Sequence, residues 1–207
     1  MNQSKLPTKQ ITLYATVCFL FGALLGVLAK FSDTIPSNGV TGLFFSYISE
    51  ITTNLGIWVA LATLLAVWSR RPLYASLNVL TFFLGMLIAY YVYSKALFGF
   101  FPTYYFVRWM LIALASPLAA YIVWFGKGKG WIAAFCAALP IGVLVVQGFP
   151  FFYVFSIVYA LDLLLAIVLL VQLAKPKAQY VKVVSLSILV FLIVRNSNLL
   201  TYLFGGL

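Results

Sequence analysis

The run from Ile11 to Ala29 is predominantly apolar and carries no charge, and six more apolar runs follow it along the chain. A membrane-spanning helix needs roughly 20 apolar residues to cross the hydrocarbon core. In water such runs would need a shell of charged side chains. This chain has 65% hydrophobic residues and 8% charged ones, against roughly 25% charged in a soluble domain. A wetted surface cannot be built from so few charges, so lipid is the expected solvent for most of the chain. At 207 residues the length suits about seven helices with short connections and leaves no room for a soluble catalytic domain. The expectation is an all-α polytopic transmembrane helix bundle in a single domain over 1–207. Its spans run over about 11–29, 48–68, 74–93, 106–125, 131–146, 151–173 and 181–196.

The connections carry the polar chemistry. Residues 30–42 form the longest polar stretch, and Leu43, Phe44, Tyr47, Ile48 and Ile51 then recur at helical spacing. That segment reads either as a separate interfacial helix or as the outer end of a long second span. The first run reads as an uncleaved span, because its 19 residues exceed the core of an ordinary signal peptide. Basic residues punctuate the runs. With the N-terminus inside, Lys5, Lys9, Arg70, Arg71, Lys127, Lys129, Lys175, Lys177 and Lys182 fall on the inner side, nine in all. Lys30, Lys95, Arg108 and Arg195, four in all, fall on the outer side. That bias places the N-terminus in the cytoplasm and, after seven crossings, the C-terminus outside. The net charge of +10 is therefore a topology signal, and nucleic acid is not an expected partner. The lipid bilayer is, and the expected location is a bacterial plasma membrane.

Asp162 is the residue whose type fits its surroundings least. Taken as twelve residues into the sixth run, it falls near the bilayer midplane, where a carboxylate costs on the order of 3 kcal/mol. It is either a neutral acid or a carboxylate beside a cation, with Arg195 the first candidate and Arg108 the second. A proton or substrate site and a helix-packing contact are both open. A second constellation gathers Lys30, Asp33, Glu50, Asn54, Lys95, Arg108, Arg195, Asn196 and Asn198 at the outer helix ends. These either line an outward vestibule or snorkel at the interface. The candidate substrate-binding residues are Asp162, Arg195, Arg108, Glu50 and Asn78, with Asn78 also suited to an interhelical hydrogen bond. Cys18, Gly22 and Gly26 recur every four residues, so they share one face of the first helix and let another helix approach closely. That neighbour is a helix of this chain or of a membrane partner subunit.

Enzyme signatures are missing. There is no histidine, which removes H-E-x-x-H zinc chemistry and any His-dependent serine or phosphoryl chemistry. Cys18 and Cys136 lie inside apolar runs and match no metal spacing. Aspartyl intramembrane chemistry needs two facing carboxylates, and Asp162 is the one deep acid. No catalytic residue, metal ligand or cofactor is expected.

Short strings such as Leu25-Gly26-Val27-Leu28-Ala29-Lys30, Gly56-Ile57-Trp58-Val59-Ala60, Phe83-Leu84-Gly85-Met86 and Leu139-Pro140-Ile141-Gly142 span most of the chain. Together they resemble a family of small multi-pass membrane proteins of Gram-positive bacteria, a domain of unknown function. The size and the small-residue first helix are also similar to the substrate-binding subunits of energy-coupling-factor transporters. Those have six helices, and the seventh run here departs from that pattern. Three roles follow as expectations: small-solute transport or substrate binding, a non-catalytic accessory or structural subunit, and an enzyme on a lipid-linked substrate.

Overall fold

The computed structural model describes residues 7–99 and 102–197. Lys5, Phe100, Phe101 and Asn198 lie outside them. The described residues are helical, with no strand among them. Eight α-helices follow in order: α1 (Thr8–Ser32), α2 (Gly39–Thr53), α3 (Leu55–Trp68), α4 (Pro72–Phe98), α5 (Thr103–Trp124), α6 (Trp131–Gly148), α7 (Ile157–Leu173) and α8 (Ala178–Asn196). Five of them are long and apolar enough to cross a membrane, namely α1, α4, α5, α6 and α8, and the broken pair α2–α3 makes a sixth. Helix α7 is apolar but has 17 residues.

The chain clusters into two compact units, Met1–Thr53 with Trp68–Tyr121, and Asn54–Val67 with Ile122–Leu207. In the first unit α1 packs along α4. The face of α1 that carries Cys18, Gly22 and Gly26 is the buried one. A Cβ at Gly22 would strike the Phe82 carbonyl, one at Gly26 the Met86 carbonyl, and one at Gly85 the Phe19 carbonyl. The two backbones thus meet directly through glycines, which is how helices bind in lipid without a hydrophobic driving force. The matched positions rise together, 22 with 82 and 26 with 86, so α1 and α4 run parallel. The intervening residues 33–71 must carry the chain back to the starting end.

Helix α5 runs antiparallel to α4. Ser76 Oγ donates to the Pro117 carbonyl at 2.7 Å, and Tyr91 and Phe106 pack edge to face at 5.0 Å. Pro117 lies inside α5 and has no N–H to give to the Ala113 carbonyl. Ser116 Oγ donates to that carbonyl instead, at 2.8 Å.

In the second unit α6 is the central helix, packed by both α7 and α8. Its core holds Ala134, Ala137, Ile141 and Leu144 with Ala60, Leu169, Leu173 and Val183. Gly142 abuts Val190, and Gly148 abuts Leu163. Gln179 Nε2 donates to the Gly130 carbonyl at 2.7 Å. Positions 130, 142 and 149 of α6 and its extension meet 179, 190 and 191, so α6 and α8 are parallel, and α7, which lies between them in the chain, makes the return.

The second run is broken at Asn54, one of the two forms open for it: Asn54 Oδ1 accepts the Gly56 N–H at 3.1 Å, capping α3. One element differs from the sequence reading. The sixth run does not become α-helical at residue 151. Phe149–Phe152 is a 3-10 turn, and α7 starts anew at Ile157 behind Ser156, whose side chain accepts the Val158 N–H.

Candidate functional site

The residues with the densest polar chemistry meet at the C-terminal ends of α1 and α4. Because these helices are parallel, Lys30 and Asp33 arrive at the level of Tyr90. Lys30 Nζ lies 3.5 Å from Asp33 Oδ2. The Tyr90 hydroxyl donates to the same oxygen at 2.9 Å, and Ser49 Oγ of α2 donates to Asp33 Oδ1. The ammonium also sits over two rings, 5.2 Å from the centroid of Tyr90 and 4.9 Å from that of Phe98. An ion pair near a surface contributes about 0–1 kcal/mol, and each cation–π contact a similar amount. Their joint effect is to hold one long, flexible side chain in one place.

Beside this network lies a cavity of about 360 Å³, lined by Lys30 of α1, by Tyr90, Tyr91, Ser94 and Phe98 of α4, and by Pro102 and Tyr105 at the start of α5. Tyr91 and Ser94 are 4% and 2% exposed, which makes them a fixed floor, whereas Phe98 and Tyr105 are exposed. The walls are thus aromatic, and the polar groups are an ammonium and hydroxyls. A site of this kind sorts ligands by a flat or apolar body and one well-placed polar group.

The outer polar set divides. Lys30 and Asp33 are joined as described. Glu50 and Lys95 are exposed, and Glu50 makes no ion pair among the described residues. Asn54 is used as the α3 cap. Arg108 is half-buried with its guanidinium 4.1 Å from the Tyr104 centroid. Arg195 is exposed and stacks 4.0 Å from the Phe149 centroid. Asn196 is exposed. Asn78 Nδ2 donates to Ser69 Oγ at 3.1 Å, so it ties down the connection into α4.

Asp162 is on the buried face of α7, 1% exposed. Two expectations about it are corrected. Since α7 begins at Ile157, Asp162 is in the second turn, about 8 Å along the helix at 1.5 Å per residue, and not at its middle. It also forms no ion pair with Arg195. Its carboxyl is seated on Gly56, where a Cβ would collide with it, beside the amino-terminal turn of α3. That end of a helix carries partial positive charge, so α3 faces the acid with its backbone. Among the described residues Oδ2 has no hydrogen-bond partner.

Sequence reasoning selected Lys30 and Asp33 but missed Ser49, Tyr90, Tyr91, Ser94 and Phe98. Periodicity shows which face of α4 is apolar but not which helix lies on it. The one available signal was the glycine at 85, matching those at 22 and 26.

No group of three or more potential metal ligands exists among the described residues. The model of a family described as "Family of unknown function (DUF6518)" matches residues 5–202. No curated protein and no solved structure matches the chain.

Proposed function

We propose that this chain, which belongs to that family of unknown function, is a multi-pass membrane protein that binds a small ligand at the Lys30 cavity, in a substrate-binding or transport role. One observation carries the reading: a cavity of about 360 Å³ walled by aromatic rings, with a lysine fixed at its edge by Asp33 and two ring faces. Packing alone does not require such a space, and α1 and α4 already meet backbone to backbone elsewhere along their length.

The proposed topology is seven crossings with the N-terminus in the cytoplasm and the C-terminus outside, in a bacterial plasma membrane. Each parallel pair, α1 with α4 and α6 with α8, needs one return crossing, supplied by α2–α3 and by α7. At 1.5 Å per residue the 17 residues of α7 reach about 26 Å, close to the roughly 30 Å hydrocarbon core. The nine-to-four basic bias gives the direction, and the cavity then faces outward. In this reading Asp162 serves the seat of α3, and Arg195, Arg108 and Glu50 serve the interface. An enzymatic role has no support in a Glu50–Arg108 pair, since neither makes an ion pair among the described residues.

The test is native mass spectrometry of the full chain released from detergent. Wild type should carry a bound species that Lys30→Gln loses. Identical adducts on both proteins would overturn the binding role.

A further inference from the structure

The binding role leaves the ligand unspecified, and the charges and surfaces around the cavity narrow it. Between Glu50 and Asp162 the sequence contains no acid, so α4 and α5 carry cations and no carboxylate. Lys95 follows the cavity residue Ser94 directly, and Arg108 lies one turn beyond Tyr105. The nearest carboxylate, Asp33, already accepts from Lys30, Ser49 and Tyr90. Glu50 of α2 is the other acid of this unit and is exposed. The local balance therefore favours an anion, and the Lys30 ammonium, with one long carboxylate contact and two ring faces, retains donor capacity toward the cavity.

The rim fixes the rest of the ligand. Phe98 and Tyr105 of the lining are exposed, and the exposed Val92, Leu97 and Tyr104 extend the same apolar character along α4 and α5. Exposed aromatics at helix ends are the interfacial belt of a membrane protein. A water-soluble anion would gain nothing from such a rim, whereas an amphiphile could keep its apolar body against it and present its head to Lys30.

We propose that the cavity binds the phosphate-bearing head of an anionic lipid, with Lys30 as the anion-reading residue and the rim of α4 and α5 holding the lipid's apolar body. This rests on the binding role argued above. The phosphate chemistry is shared with free inorganic phosphate, and the rim selects the lipid.

The test follows the thermal unfolding of the full chain in neutral detergent, since a ligand that binds the folded state raises its midpoint. Short-chain phosphatidylglycerol, phosphatidylcholine of the same chain length, and inorganic phosphate are the three probes. Phosphatidylglycerol should raise the midpoint by several degrees more than phosphatidylcholine, and inorganic phosphate should do nothing. The gain should vanish in Lys30→Gln, return in Lys30→Arg and persist in Lys129→Gln, which removes a charge from the Gly128–Gly130 turn. Equal gains from the two lipids, or a phosphatidylglycerol gain that survives in Lys30→Gln, would overturn the proposal. A full gain from inorganic phosphate would overturn the lipid. If phosphatidylglycerol fails while wild type still carries an adduct that Lys30→Gln loses, the ligand class is wrong and the binding role stands. If that adduct difference is also absent, both fail.

Discussion

Single atoms decide the closest contacts in this molecule. Gly22, Gly26 and Gly85 lie where a methyl group would run into a backbone carbonyl of the opposing helix, and backbone cannot step aside as a side chain can. Gly22→Val should destabilise the chain by about 1–3 kcal/mol, the usual range for overpacking. Leu24→Val, on the exposed face of α1, should change little. Unfolding in detergent followed by circular dichroism would distinguish the two, and equal losses would contradict glycine-mediated packing. Gly56 is a different case, because its neighbour is the carboxyl of Asp162. Asp162→Asn keeps the shape and should be tolerated, while Gly56→Ala takes the seat of the carboxyl and should lower the melting temperature further than Asp162→Asn. The reverse order would mean that the charge, and not the seat, matters at this position. The composition alone exposed Asp162 as an outlier. Its partner was not legible, because a helix terminus is backbone and leaves no residue type in the sequence to search for.

Among the elements, the return segments are the ones that break the pattern of long apolar helices. Helices α3 and α7 have 14 and 17 residues, and each begins with a side-chain cap, Asn54 on the Gly56 N–H and Ser156 on the Val158 N–H. Capping residues satisfy amides that no water would reach in a membrane. Asn54→Ala and Ser156→Ala should each cost about 1 kcal/mol, read as a lower unfolding midpoint, whereas Asn54→Ser and Ser156→Thr should hold near wild type. These boundaries explain where the sequence reading misjudged depth. Hydrophobicity runs on from Phe151 to Leu173 without a gap, so the run looked like one helix with Asp162 at its middle. The start is set instead by Ser156 and by the Phe149–Phe152 turn, local backbone chemistry that hydropathy averages away. The apolar runs for α1, α4, α6 and α8, by contrast, each fall within one continuous helix, although α4 goes on to Phe98, five residues past the apolar run at 74–93.

For the whole molecule, the same arrangement occurs twice: a parallel pair of helices in close contact, α1 with α4 and α6 with α8, separated in the chain by a segment that returns. Reporter fusions after Gly128 and at the C-terminus should report cytoplasm and exterior respectively, and a cytoplasmic C-terminus would remove one of the seven proposed crossings. The cavity was not legible in the sequence, since it exists only once Lys30, Tyr90 and Tyr105 are brought together from three helices. The parallel contact has a further consequence for how the chain is made. A ribosome adds about 5–20 residues per second, and α4 ends at Phe98 while α1 ends at Ser32, so α1 leaves the insertion machinery seconds before its partner exists. In the proposed membrane topology its glycine face has only lipid to meet during that interval, and the two helices find each other by lateral diffusion in the plane of the bilayer. Assembly is therefore a second stage, separate from insertion. The proposed site, which depends on Lys30 meeting Tyr90, is created at that stage, so on this reading a nascent chain halted before α4 would be inserted without it.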